Sequence, residues 1–298
     1  LDPSASPAIV QLSLRPGTRY TLAEASFALD LPADVELPAP SHFALKAGQP
    51  ARAAEIVAAE RGAVRWLRDR GFAQARFASR DAVSDPATKT LAVASRIDAG
   101  PRTRFGKLAI IGLETVDETY VQTYRPWSEG EWYSQRAVDR FTELLSGTGL
   151  FEYARVAATP DALTRLEVKE APHRGVGGGL RFSTEDGPAG RAYLEHRNLL
   201  GGNETARISA TAALFEQELR ATFTKPQFLR AEQTLLAGAA IRQQDDDAFN
   251  EVAFRTSVNI ERVANARLRY SVGLSVEAAD ISGSNRDGKS LLVGLPLA

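Results

Sequence analysis

From Arg174 onward the chain alternates apolar and polar side chains residue by residue, in runs separated by short polar breaks. In 205–214, Ala206, Ile208, Ala210, Ala212 and Leu214 fall on one face, and Thr205, Arg207, Ser209 and Thr211 on the other. Leu219, Ala221 and Phe223 oppose Glu218, Arg220, Thr222 and Thr224. Val252, Phe254, Val258 and Ile260 oppose Arg255, Ser257, Asn259 and Glu261. Leu268, Tyr270, Val272, Leu274 and Val276 oppose Arg267, Arg269, Ser271, Ser275 and Glu277. A strand turns successive side chains to opposite faces, so each run reads as an amphipathic strand. Runs of about ten residues with one apolar and one polar face are the pattern of a transmembrane β-barrel.

The bulk composition is compatible with that pattern. The 298 residues allow more than one domain. Thirty-six basic residues stand against 37 acidic ones, so no nucleic-acid partner is implied. No apolar run approaches the roughly 18 residues of a membrane helix. A barrel strand needs none, because half of its side chains face a polar lumen. The absence of cysteine removes disulfides, thiolate metal sites and a cysteine nucleophile. The sequence starts Leu-Asp-Pro without a charged and apolar leader, so any signal peptide is expected to have been removed or to have lain upstream.

The first 172 residues mix strand-like and helix-like runs in a repeating order. Strand runs at 9–14, 91–97 and 163–168 each close one unit. In the unit at 18–100, Pro50 suits a first helical turn. Ile56, Ala59, Ala63 and Leu67 lie at helical spacing, and Gly71 suits a C-cap. A hairpin over 72–83 and 88–97 follows. In the unit at 101–172, Thr115 and Glu118 have capping-box spacing. Ser134 is placed to cap a second helix whose stripe is Val138, Phe141 and Leu145. A hairpin over 151–158 and 163–168 closes that unit.

This β-α-α-β-β order, with Arg70-Gly71-Phe72 and Gly149-Leu150-Phe151 after the second helix of each unit, resembles the POTRA domain of the BamA superfamily. The 195–204 run, Glu-His-Arg-Asn-Leu-Leu-Gly-Gly-Asn-Glu, resembles a barrel turn of TamA-type members. So does Lys225-Pro226-Gln227-Phe228-Leu229-Arg230. The fold expected is α+β periplasmic POTRA repeats followed by an antiparallel transmembrane β-barrel. The expected domains are the last strand of an upstream POTRA (1–17), two POTRA domains (18–100 and 101–172) and the N-terminal half of the barrel (173–298). Strands are expected over 175–184, 189–197, 204–214, 218–225, 233–243, 250–261, 266–280 and 289–298. The resemblance implies a barrel of about sixteen strands, so only about half are present.

Several residue groups invite a functional reading. Val176-Gly177-Gly178-Gly179-Leu180 is followed by strand rather than by helix and lacks the Lys-Ser/Thr of a phosphate loop. Glycine weakens a strand, so this segment is read as a loosely pairing first strand at a lateral seam, with close packing against the lumen as the alternative. Two candidate edge strands, at Phe72, Ala73, Gln74, Ala75 and Arg76 and at Phe151, Glu152, Tyr153, Ala154 and Arg155, could capture an extended client by strand addition. Arg181, Arg191, Arg207, Arg220, Arg255, Arg267 and Arg269 share polar faces with Glu195, Glu218, Glu261 and Glu277, which suits lumen ion pairs. His42, His173 and His196 lack metal-ligand spacing. Asp245-Asp246-Asp247 lacks the rest of a Ca²⁺ loop and reads as a solvated loop tip.

No catalytic constellation is present in the sequence, so neither an enzyme nor a cofactor is expected. The resemblance implies a factor that assembles or translocates outer-membrane and autotransporter clients, working in the lipid bilayer with an inner-membrane partner subunit. A two-partner secretion transporter, passing an exoprotein through the lumen, is the nearest alternative. A soluble β-rich enzyme is a more distant one.

Overall fold

The computed structural model describes residues 18–158, 164–184, 187–245, 249–265, 267–283 and 287–297. The strand expected at 9–14, Asp246 and Asp247 of the acidic run and parts of two expected loops lie outside the described residues. The chain divides into two compact units. One runs up to Phe105 and includes Gly130–Arg136; the other comprises Gly106–Glu129 and Ala137–Ala298.

The first unit holds a three-stranded sheet of β1 (Thr21–Ala28), β2 (Arg76–Asp85) and β3 (Thr90–Asp98), ordered β1-β3-β2. β1 runs parallel to β3, and β2 antiparallel to it. Helix α1 (Ala53–Arg68) buries Ile56, Ala59, Ala63 and Leu67, the stripe its spacing predicts. Leu67, Phe72, Ala75 and Ile97 form one core cluster, and Leu22, Leu45, Ile56 and Val93 another. Helix α1 starts at Ala53 rather than at Pro50, whose carbonyl accepts from the Arg52 amide at 2.9 Å. The first of the two expected helices is a single 3-10 turn, Pro40–Phe43. Pro32, Pro38 and Pro40 deprive that stretch of backbone donors.

One charged group lies inside this unit. Glu60 on α1 is 3% exposed, accepts from Ser95 Oγ at 2.6 Å and pairs with Arg80 on β2. A buried carboxylate is tolerable only with such partners. The pair fastens the outer strand β2 to the helix.

The second unit contains a sheet of the same topology, with β4 (Leu108–Ile111), β5 (Phe151–Ala158) and β6 (Thr164–Glu170) ordered β4-β6-β5. Helix α2 (Glu118–Gln122) is capped by Asp117, whose side chain accepts from the Thr119 amide at 2.7 Å. The expected Thr115–Glu118 box is not formed, because Thr115 is engaged by Glu170. Helix α3 (Gln135–Gly147) buries Val138, Phe141 and Leu145 as expected, and Phe141 meets the Trp127 ring edge-on at 5.1 Å.

The chain then enters an eight-stranded antiparallel sheet in which every strand pairs with its sequence neighbours. The strands are β7 (Arg174–Ser183), β8 (Gly187–Arg197), β9 (Thr205–Ala213), β10 (Glu216–Pro226), β11 (Gln233–Asp245), β12 (Phe249–Asn265), β13 (Leu268–Gly283) and β14 (Gly288–Gly294). All eight expected strands are present, with bounds shifted by a few residues. Register carries the alternation through the sheet. Glu195 pairs with Arg207, Arg207 with Thr222, Glu218 with Arg242, and Arg255 with Glu277, all on one face. Val176, Leu180, Leu194, Ile208, Leu219 and Val272 stand on the other face, and each is more than half exposed. An apolar face this extensive and unburied fits hydrocarbon rather than water. Arg267 lies in the β12–β13 turn, not on the polar face, because Asn265 Oδ1 accepts from its amide at 2.9 Å.

Truncating Phe141 to alanine is expected to cost about 3–5 kcal/mol, the usual penalty for emptying an aromatic core site. Thermal unfolding of the second three-stranded domain, followed by near-UV dichroism, checks this.

Candidate functional site

Three places in the fold carry chemistry beyond scaffold: the first strand of the large sheet, the turns beside it, and the edges of the small sheets. Strand β7 is an edge of the eight-stranded sheet and pairs only with β8 among the described residues. Four of its ten residues are glycine. Val176 and Leu180 project from the apolar face, 77% and 95% exposed. Gly177 lies under the Tyr193 ring on the polar face, and a Cβ there would sit 2.5 Å from that ring. Gly178 lies on the apolar face, where a Cβ would come within 2.9 Å of the Arg191 carbonyl oxygen. Gly179 meets no neighbour. Glycine at these positions leaves few cross-strand side-chain pairs, which are the main source of sheet stability beyond the ladder.

The strand ends nearest the chain's entry into the sheet are tied to the preceding domain by hydrogen bonds. Glu170, the last residue of β6, accepts from the amides of Glu114 (2.8 Å), Thr115 (3.0 Å) and Val116 (2.9 Å). It also accepts from Thr115 Oγ1 at 2.6 Å and lies 2.9 Å from His173 Nε2. Burial alone would raise the pKa of this carboxyl, but the donors outweigh it and hold it at about 2. Asn198 in the β8–β9 turn donates to Thr115 Oγ1 at 3.1 Å, and the Asp117 amide donates to the Gly201 carbonyl at 2.9 Å. In the next turn, Thr123 Oγ1 donates to Gln227 Oε1 at 3.0 Å.

The β8–β9 turn is itself built around a carboxylate. Glu204 is 1% exposed and accepts from the amides of Leu200 (3.1 Å) and Gly202 (3.0 Å) and from Lys225 Nζ. Desolvation pushes its pKa up, and the Lys225 and amide bonds bring it below the ordinary glutamate value. Asn198 and Asn203 both take positive φ (56° and 63°), which asparagine accepts more readily than most residues. The Asn203 amide donates to Asn198 Oδ1 at 3.0 Å and closes the turn.

The small-sheet edges differ from each other. Phe72, Ala73, Gln74 and Ala75 do not form a strand. Phe72 and Ala75 are core residues, 1% and 0% exposed, and the Ala75 amide donates to the Phe72 carbonyl at 3.0 Å in a turn. The apolar character of Phe72 reflects packing against α1. Arg76 opens the edge strand β2 and bonds Asp98 at 2.6 Å. Phe151, Glu152, Tyr153, Ala154 and Arg155 all lie on the edge strand β5. There Phe151 is buried, Glu152 pairs with Lys169, and the Tyr153 hydroxyl donates to Glu167 at 3.3 Å.

The polar face of the large sheet is laced with ion pairs: Arg207–Glu195 at 2.9 Å, Arg220–Glu218 at 2.6 Å, Arg269–Glu261 at 3.1 Å and Arg255–Glu277. Arg242 adds a pair with Glu251 at 2.6 Å. Small residues make room for these long side chains. Ala253 faces Arg242, and Ala240 faces Arg255, across the β11–β12 ladder. Glu170, Asp117, Glu204 and Asn198 escaped the sequence reading as functional positions. The 195–204 run was visible as a motif, but not the carboxylate at its centre.

Comparison with known proteins fits this geometry. Residues 198–293 match the Omp85 superfamily domain. The fold is similar to that of BamA from Haemophilus ducreyi lacking POTRA domains 1–3, with a TM-score of 0.81 at 18% identity over 93% of this chain and 58% of that one. CdiB from Escherichia coli is similar at 12% identity over 99% of this chain and 58% of that chain, with a TM-score of 0.45. POTRA domains 3–5 of Haemophilus influenzae BamA give 24% identity, a TM-score of 0.43 and coverage of 51% of this chain and 61% of that one. The last two overlap too loosely to add to the fold assignment.

The strand region thus matches the Omp85 superfamily domain, and the fold, two small α+β domains followed by barrel-type strands, is similar to that of BamA, of which this chain spans just over half the length.

Replacing Glu170 by Gln is expected to weaken the 114–116 loop by about 1.5–3 kcal/mol, as charge-assisted bonds are lost. Faster hydrogen exchange at the Thr115 and Val116 amides is the readout. Because the folded-state pKa is depressed, the wild-type contribution is fully present above about 4.5 and disappears as pH falls through about 2.

Proposed function

We propose that the chain is the periplasmic-and-seam portion of a factor that assembles or translocates outer-membrane proteins, without enzymatic chemistry. The domains would be two POTRA units (18–100 and 101–172) and the first half of a barrel (173–298). Unfolded clients, autotransporters in the TamA-type reading, would add as strands to the POTRA edges β2 and β5. They would then pass to the edge of β7. Such a route needs no nucleotide, because burying apolar strand faces in lipid and pairing backbone groups there are both favourable. An inner-membrane partner subunit belongs to the same TamA-type reading.

The observation that carries this proposal is the character of β7, an edge strand with glycine at 175, 177, 178 and 179. A strand poor in side chains loses little when it unpairs, and once unpaired it presents a row of backbone donors and acceptors to an incoming strand. The ion pairs of the polar face support a second reading, a secretion conduit through the lumen. The two routes place the client differently. Photo-crosslinkers at Leu180, on the seam, should capture a client in transit, whereas crosslinkers at Thr222, on the polar face, should not. Capture at Thr222 alone would favour the conduit.

Glycine substitutions separate seam function from folding. Gly179→Val meets no steric obstacle and adds strand propensity of about 1 kcal/mol or less. It should leave heat-modifiable mobility of the barrel intact and slow client insertion. Gly177→Val would collide with Tyr193, so it should reduce the yield of folded barrel itself.

A further inference from the structure

A cleft at the periplasmic foot of the seam strand has a composition that neither the sheet nor the turns explain. It is an open cleft of about 620 Å³, lined by Thr115, Pro172 and His173, by Arg174 and His196 from β7 and β8, and by the 198–201 turn. Arg174 and His196 are direct partners in the β7–β8 register. Both belong to the apolar face, at its periplasmic end, below Val176 and Leu194. A cation on that face is out of place unless it meets the interface.

Three observations point to an anionic ligand. First, Arg174 is exposed and has no hydrogen-bond or ion-pair partner among the described residues, although this protein pairs most of its other barrel arginines. Second, His196 lines the cleft beside Arg174, and its side chain, Nδ1 included, has no hydrogen-bond partner among the described residues. One neutral tautomer makes it a donor. Third, the cleft lining contains no carboxylate. The two nearby acids are already saturated: Glu170 by the 114–116 loop and His173, and Glu204 by Lys225 and its own turn.

The surroundings specify the source of the anion. Leu199 and Leu200 line the same cleft, 46% and 69% exposed. Leu229 on the next periplasmic turn is 82% exposed. Leucine on turns that face an aqueous compartment has no partner there, but it fits the acyl region just inside a headgroup layer. Cations at the edge of an apolar belt lie at headgroup height.

We propose that this cleft binds the phosphodiester headgroup of a glycerophospholipid in the periplasmic leaflet. Arg174 and His196 hold the phosphate oxygens, and Leu199 and Leu200 lie along the acyl chains. A lipid there would fix the first residue of β7 while the glycine-rich remainder stays free to unpair. The binding claim rests on the outer-membrane placement proposed above and not on the seam mechanism.

The test uses the full-length protein purified in a maltoside detergent and measures retained lipid by native mass spectrometry. The probes are phosphatidylglycerol, phosphate-free diacylglycerol, and millimolar inorganic phosphate as competitor. Wild type should retain phosphatidylglycerol and not diacylglycerol, and inorganic phosphate should not displace the lipid. Arg174→Gln and His196→Leu should each weaken retention about tenfold, the scale of losing one charge-assisted contact. Lys289→Gln, at the opposite end of the sheet, should behave as wild type. Arg174→Lys should recover most of the retention, which separates loss of charge from loss of fold; heat-modifiable mobility checks the fold in each variant. Retention unchanged in both Arg174→Gln and His196→Leu would overturn the proposal. So would equal retention of diacylglycerol, which would make the apolar belt sufficient. Displacement by inorganic phosphate would assign the cleft to a soluble anion instead of a lipid.

Discussion

Hydrocarbon offers no partner to a backbone amide or carbonyl, so a chain that crosses it must satisfy those groups within its own ladder. The rest of this structure depends on that constraint. Eight strands pair in sequence order, each with its neighbour, so that from β8 to β13 both ladder faces of every strand are used. Only β7 and β14 keep an open side among the described residues. Once the ladder sets the register, the alternation of side chains sorts itself into an apolar face toward lipid and an ion-paired face opposite.

The two small domains solve a different problem, in water. Each buries one helical stripe against one sheet face and leaves an edge strand, β2 or β5, along its border. The second is bonded to the turns of the large sheet through Thr115, Asp117 and Thr123, and Glu170 holds the 114–116 loop that carries the first of these. The donors around Glu170 keep its carboxylate charged across the physiological range.

Periodic features were legible in the sequence and long-range ones were not. The two-residue period located all eight barrel strands, and the helical period located the buried stripes of α1 and α3, because each signal repeats within a few residues. The failures came where a distant partner decides. Thr115 reads as a capping residue until Glu170, 55 positions on, takes its hydroxyl. Phe72 reads as strand because it is apolar and follows a glycine, yet it turns inward to the Leu67 cluster. Glu204 carries no local mark that distinguishes a turn-organising carboxylate from a solvated one. The glycine-rich strand is intermediate: its weakness was visible in composition, but its place under Tyr193 and at the sheet edge required the structure.

The central claim is that the alternating faces divide lipid from water. Because the chain contains no cysteine, single cysteines can be introduced along β9 at Ala206, Arg207, Ile208, Ser209, Ala210 and Thr211 and spin-labelled in the reconstituted full-length protein. Collision with oxygen, which partitions into lipid, and with a water-soluble nickel chelate should then alternate with a period of two, the even positions seeing oxygen. Uniform accessibility along the strand, or the opposite phase, would contradict the account.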